Sequence, residues 1–312
     1  MSKPPLTVLL ASPRGFCAGV VRAIATVEAA LERYGPPVYV RHQIVHNSHV
    51  VEQLRAKGAR FVEDLAEVPD EAVVISSAHG VPRAVHDEAL QRRLRHIDGT
   101  CPLVSKVHRE VTRHVENGRT VILVGRRGHA EVIGTMGQVP PGTVRLVENV
   151  ADAEAVPLEG SGRRYAYATQ TTLSIEDAAA VVSALRRRLP DLPGPRRNDI
   201  CYASANRQAA VKLLARRCEL VIVLGSETSA NARELVDTAR RAGCGRALLV
   251  DRAADLDMML LAGAGTIGAT SGASTPESLV DELIERLSRY YAIDLEPVVA
   301  AEESLEFGLP RI

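Results

Sequence analysis

The chain of 312 residues has no apolar run approaching the ~18–20 uncharged residues that a membrane-spanning helix needs. Its start, MSKPPLTVLLASPRG, offers a single lysine and a short apolar stretch, too little for a signal peptide. Neither charge is in excess. The 38 basic residues balance 38 acidic ones, which argues against nucleic acid or a membrane surface as a partner held by bulk electrostatics. Lysine is scarce, occurring only at Lys3, Lys57, Lys106 and Lys212, so the basic set is mostly arginine. Clusters such as Arg186-Arg187-Arg188 could dock an acidic partner, although a compositional preference for Arg and Ala accounts for them at least as well. The five cysteines include no C-x2-C pair, the close spacing that structural zinc sites usually show. With no export signal, a reducing cytoplasmic location is expected, and the cysteines are read as thiols or metal ligands rather than disulfides.

What the chain does have is alternation. Short apolar, β-rich runs recur at Leu6–Leu10, Val38–Val40, Ala72–Ile75, Thr120–Val124, Tyr165–Ala168, Leu220–Leu224, Ala247–Val250 and Gly265–Ala269. Continuous apolar strands of this kind suit a sheet buried on both faces. Amphipathic stretches predict helices near 19–33, 48–57, 83–94, 102–117, 174–189, 203–218, 228–242 and 275–291. Strand following helix following strand predicts an α/β fold with parallel sheets.

Three segments resemble one another: PRGFCAGVVRAIATVEAAL, GTCPLVSKVHREVTRHV and DICYASANRQAAVKLLA. Each sets a cysteine (Cys17, Cys101, Cys201) in a short loop just before a helix. This predicts three similar α/β lobes at 1–98, 99–200 and 201–292, with a tail at 293–312 packing back on the body. A cysteine at a helix N-terminus sits among unpaired N–H groups at the positive end of the dipole, which favours the metal-binding thiolate. One such residue alone reads better as an inert buried thiol; three in matching settings point to metal. Three distant thiolates suit an iron–sulfur cluster that lacks one of its usual four cysteines, and the open iron would be a Lewis-acid site. Cys218 and Cys244 sit in different settings and are read as structural.

Polar or glycine-rich runs lead from strand to helix at SSAHGVP (76–82), TQTTLS (169–174), GSETSAN (225–231) and TSGAST (270–275). Each alone reads as an ordinary helix cap. Together, at the carboxyl ends of strands, they suggest a cavity for a multiply charged anion such as a diphosphate. The run Val38–Val45 reads as a strand with His46 at its end as a phosphate contact, and His79 in SAHG is of the same kind. His129 and Glu131 in GHAE echo the H-x-E of zinc deaminases, but the second half of that signature, P-C-x-x-C, is missing. Glu131 is the acidic residue placed to give a proton, because a carboxyl in a dry cavity has its pKa raised.

Taken in order, PRGFCAGV, IVHN, SAHGV, TCPLVSKVH, GHAEVIGTMGQ, TQTTLS, DICYASANRQ, GSETSAN and TSGASTP resemble the 4-hydroxy-3-methylbut-2-enyl diphosphate reductase family of the methylerythritol phosphate route to isoprenoids. The likeness runs from about residue 6 to 290. It implies a pseudo-threefold trefoil of α/β lobes around a central [4Fe–4S] cluster, with Cys17, Cys101 and Cys201 as its three ligands and one open iron. It implies removal of the substrate's allylic hydroxyl as water, with two electrons and two protons, giving isopentenyl and dimethylallyl diphosphate. His46, His79, His129, Ser229, Asn231 and Ser274 match the diphosphate pocket. Thr171 matches the threonine that bonds the substrate hydroxyl, Thr172 adjoins it, and Glu131 matches the proton donor. Electrons are expected from ferredoxin or flavodoxin, the chain being read as lacking a dinucleotide fingerprint such as G-x-G-x-x-G.

The chain departs from that pattern at Val21, Gln43, Arg126, Ala130 and Ala230, where the family more often has aspartate, glutamate, histidine, proline and serine. These departures bear on affinity, or mark a second copy with an altered role. Two competing readings differ in class. A non-catalytic iron–sulfur or thiol redox sensor that binds a small diphosphate needs no positioned Glu131 or Thr171. A cysteine-nucleophile enzyme with a histidine partner predicts one essential cysteine and a colourless protein.

Overall fold

The structure is a computed structural model that describes residues 3–158 and 160–312. In chain order its strands are β1 (Pro5–Ser12), β2 (Val38–Arg41), β3 (Ala59–Val62), β4 (Val73–Ser76), β5 (Arg95–Asp98), β6 (Thr120–Val124), β7 (Val144–Val147), β8 (Tyr165–Thr169), β9 (Leu220–Leu224), β10 (Ala247–Val250), β11 (Thr266–Ser271) and β12 (Ala292–Val299). Its helices are α1 (Ala18–Tyr34), α2 (Ser48–Ala56), α3 (Arg83–Gln91), α4 (Pro102–Glu116), α5 (Ala130–Met136), α6 (Val150–Ala155), α7 (Ile175–Arg188), α8 (Tyr202–Ala215), α9 (Ala230–Arg241) and α10 (Glu277–Tyr290). The expected eight helices and eight strands are all present. Helices α5 and α6 and strands β3, β5, β7 and β12 are additional.

The strands form three sheets, ordered β10-β9-β11-β1-β12, β3-β2-β4-β5 and β7-β6-β8. Among the described residues every strand pairing is parallel, so the α/β expectation holds. The sheets do not follow cuts at 98 and 200. β1, expected in the first lobe, lies between β11 and β12, and residues 292–299, read mostly as tail, form β12 beside it. The reason is the parallel ladder itself: Leu6–Leu10 is apolar on both faces and can be buried only inside a sheet, where β11 and β12 each offer it an edge.

The chain divides into two compact units. One comprises residues 1–18, 46–50 and 202–306 and holds the five-stranded sheet. Alternation along β9 sends Leu220, Ile222 and Leu224 to a core under α10 with Val280, Leu283 and Leu287. Val221 and Val223 face the opposite side, against Val211 and Leu214 of α8 and Leu235 of α9. Burial of each such side chain contributes about 1.5–3 kcal/mol, enough to fix the register. The other unit, residues 19–45, 51–201 and 307–312, holds the remaining two sheets. There β6 places Ile122 and Val124 against Val181 and Leu185 of α7, and Val121 and Leu123 against Val107 and Val111 of α4.

Two expectations need correction. The run to Val45 is not all strand: β2 ends at Arg41, His42 takes the left-handed region (φ 57°), and His46 lies in the loop before α2. The sequence also does contain G-x-G-x-x-G, at Gly263, Gly265 and Gly268. It leads from a turn into β11 rather than from strand to helix, so it lacks the helix N-terminus that grips a pyrophosphate in a dinucleotide fold. Among the described residues no helix is long and apolar enough to cross a membrane.

Candidate active site

The three sequence-matched cysteines occupy equivalent places. Cys17 immediately precedes α1, Cys101 is the N-cap of α4 with Pro102 as first helical residue, and Cys201 immediately precedes α8. In each case the cysteine N–H donates to a carbonyl of a strand-end loop: Cys17 to Ala273 (3.1 Å), Cys101 to Ala78 (3.0 Å) and Cys201 to Thr171 (3.0 Å). All three are half-buried, as a ligand to a partly enclosed group must be. Cys218 and Cys244 contrast with them. The Cys218 thiol donates to the Leu214 carbonyl, and burial, with Cys244 beside it, pushes its pKa up to about 12. A thiol held protonated is no metal ligand. Among the described residues, no three His, Cys, Asp or Glu side chains are grouped closely enough to hold a single metal ion. Each of these half-buried thiols, at a helix N-terminus, has the donor chemistry of an iron–sulfur ligand.

In the larger unit the polar side chains are held with little freedom. Glu131, in the first turn of α5, is 2% exposed. Thr171 donates its N–H to Oε1 (2.7 Å) and its hydroxyl to Oε2 (2.8 Å). Burial outweighs those two hydrogen bonds, and the carboxyl pKa is raised to about 7. His129 caps α5, with Nδ1 accepting from the Glu131 N–H (3.1 Å). Its ring meets that of His79 edge to face, with centroids 5.8 Å apart. Thr172 accepts from Gln170 Nε2 (2.9 Å), while Gln170 Oε1 takes the Arg126 N–H. Arg126 thus enters that turn through its backbone, so a different side chain there keeps the loop's shape.

Close backbone approach fixes the separation of the His79 loop and α5. The Cβ of an alanine at Gly134 would stand 3.0 Å from the backbone of Gly80, and one at Gly137 would overlap Pro82 at 2.4 Å. Gln138 Nε2 also donates to the Val81 carbonyl (2.7 Å). Gly80 in turn has a positive φ of 79° and packs on the His108 ring.

In the other unit, Ser229 caps α9 by accepting the Ala232 N–H (3.2 Å). Asn231 Oδ1 accepts from the Ala273 N–H (2.8 Å), and Ser274 donates its hydroxyl to the His46 carbonyl (3.0 Å). Cys17, His46, Asn231 and Ser274 therefore share one connected set of loops, with Ala273 bonded to both Cys17 and Asn231. Ala230 is buried at the start of α9. Cys101, Cys201, His79, His129, Glu131, Thr171 and Thr172 form the corresponding set in the larger unit.

Three supporting residues escaped the sequence reading although all lie in DICYASANRQ. Asp199 accepts the Thr169 N–H (3.0 Å) and pairs with Lys106 (3.0 Å), its carboxyl pKa raised by burial. Tyr202 accepts the Ala18 N–H, and burial pushes its phenol up to about 12. Arg207 is fully buried. It pairs with Glu303 (3.0 Å) and donates to the carbonyl of Gly15 (2.8 Å), two residues before Cys17.

The sequence model of the LytB protein family matches residues 8–288. The chain belongs to the LytB family. It is 53% identical over its full length to 4-hydroxy-3-methylbut-2-enyl diphosphate reductase of Roseobacter denitrificans, covering 98% of that protein. It is 52% identical to the reductase named number 2 in Rhodopseudomonas palustris, with the same coverage. Among solved structures it resembles E-1-hydroxy-2-methyl-but-2-enyl-4-diphosphate reductase from Plasmodium falciparum, with a TM-score of 0.93 at 39% identity, covering 98% of this chain and 96% of that one. A second LytB-family likeness, to the terminal enzyme of the non-mevalonate pathway, has a TM-score of 0.64 at 29% identity.

Proposed function

We propose that this chain is the 4-hydroxy-3-methylbut-2-enyl diphosphate reductase of its organism, replacing the substrate's allylic hydroxyl with hydrogen at the cost of two electrons and two protons. The products are isopentenyl diphosphate, dimethylallyl diphosphate and water. Cys17, Cys101 and Cys201 would hold a [4Fe–4S] cluster, and the reading carries with it the trefoil placement of the lobes around that cluster. When bound, the cluster supplies electrons and a Lewis-acidic iron for the alcohol oxygen. The reaction belongs in the cytoplasm, where thiolates stay reduced.

The observation that carries the reading is the Glu131–Thr171 pair. A carboxyl with its pKa near 7 is protonated in about half the molecules at neutral pH. In that form Glu131 can donate to the Thr171 oxygen, which frees the threonine hydroxyl to donate to the departing hydroxide. Proton transfer along that line turns a poor leaving group into water. A redox sensor gains nothing from such a pair, so the geometry favours the reductase over the sensor. His46, His79, His129, Ser229, Asn231 and Ser274 would take the diphosphate, through imidazole N–H, hydroxyl, amide and helix-start N–H groups. The test is anaerobic purification followed by a visible spectrum, iron and sulfide analysis, and turnover of the hydroxy-diphosphate with reduced methyl viologen. A brown protein that turns over supports the reading; colour without turnover returns it to the sensor.

A further inference from the structure

The proposed reaction consumes two electrons, and the one G-x-G-x-x-G of this chain runs into a strand rather than a helix, so the electrons must come from another molecule. We propose that an acidic electron-carrier protein docks on a cationic cleft between α4 and the loop that leads to Cys201. The cleft, about 280 Å3, is lined by Lys106, Arg109, Glu110, Arg113, Arg196 and Arg197, five cations and one acid in a protein whose total charge is zero. The single acid is already taken: Glu110 is buried, with Arg113 at 3.4 Å and Lys106 at 3.9 Å. Lys106 is itself anchored on Asp199 (3.0 Å) and on the carbonyls of Arg197 and Asn198. Arg109, Arg196 and Arg197 are exposed, and their guanidinium groups have no carboxylate partner among the described residues, although the Arg196 backbone N–H donates to Glu110 (3.4 Å). The run first suspected of docking an acidic partner is different. Arg187 pairs with Glu154, Arg188 donates to two carbonyls, and Arg186 lies over the Tyr167 ring.

Position sets the free cations apart from a chance patch. α4 begins at Cys101, so Arg109 stands about 12 Å along the same rigid helix from that thiol. Arg197 lies in the loop that runs on into Cys201, and Lys106 ties this loop to α4. A carrier held there would rest on the two elements that present two of the proposed cluster ligands, and its electron would have a short covalent path inward. Unpaired arginines around a low-dielectric cleft focus a positive field, which steers an acidic partner and raises its rate of encounter.

The proposal rests on the reductase reading, and the experiment separates the two. Holoenzyme and its Arg109→Glu/Arg197→Glu double variant are assayed with reduced methyl viologen, which needs no docking face, and with a reduced [2Fe–2S] ferredoxin of acidic surface. The expected result is unchanged viologen turnover, a ferredoxin KM raised at least about tenfold, and a weaker dependence on ionic strength. Arg109→Gln/Arg197→Gln, which removes charge without reversing it, should fall between. An unchanged ferredoxin KM overturns the docking face, as does an equal loss with viologen, which would assign the arginines to holding the site. If the wild type fails with viologen, the reductase reading falls first and takes the docking proposal with it.

Discussion

Glu131 has both carboxyl oxygens on Thr171 and no water-facing surface to speak of, so its protonation should govern turnover. With a pKa near 7, the proton-donating form is lost as pH rises, and the rate should fall through about 7 on the alkaline side. Glu131→Gln keeps the shape but carries no transferable proton; turnover should drop by about 10²–10⁴-fold with iron content unchanged. Normal turnover would remove Glu131 from the reaction. Linkage fixes the sign for stability. Between its ordinary value of 4.5 and about 7, folded Glu131 holds a proton that the unfolded chain has released. Its contribution is therefore greatest below 4.5 and is lost as pH rises past about 7. Urea unfolding of wild type and Glu131→Gln should show the wild type losing ground to the variant between pH 5 and 8. Glu131 was legible in the sequence because a carboxylate beside a helix-starting histidine is unusual chemistry. Arg207 was not: an arginine in the middle of a helix looks solvated until its surroundings are known.

At the scale of elements, the strands found from sequence and those missed differ in where they lie. β3, β5, β7 and β12 are all sheet edges, whereas the continuous apolar runs proved mostly central. An interior parallel strand is covered on both faces and must be apolar throughout; an edge such as Arg95–Asp98 can carry charge on its open side, which hides it. Helix α5 was missed because seven residues hold too few turns to show a period. Its glycines matter more than its length. Gly134→Ala should push α5 off the Gly80 backbone, costing about 1–3 kcal/mol and drawing the His79 and His129 rings apart. Substrate KM should rise more than kcat falls, measurable by steady-state kinetics beside a thermal melt. The Arg207–Glu303 contact makes a second prediction. Removing the carboxylate strands a fully buried guanidinium, so Glu303→Ala should cost about 3–5 kcal/mol, read by chemical denaturation. Arg207→Met/Glu303→Leu should recover much of that loss, since no charge is then left unpaired.

For the whole molecule, iron content should divide the five cysteines. Cys101→Ser and Cys201→Ser should give colourless protein, while Cys218→Ala, which alters a thiol bonded to the Leu214 carbonyl of the preceding helix, should remain brown. The fold class and the family were readable because parallel α/β units and the cysteine-bearing loops are local in sequence. The sheet memberships were not, since pairing between distant segments leaves no local pattern. That pairing bears on biogenesis. β1 is made well before β11 and β12, between which it fits, and the Cys17 loop leans on Ala273. A ribosome must therefore deliver the chain through residue 299 before this sheet can close, and until then β1 waits with both flanks bare. Loading of iron at Cys17, as proposed, would therefore come only after β12 has been made, and the nascent chain depends meanwhile on whatever shields an unpaired hydrophobic strand.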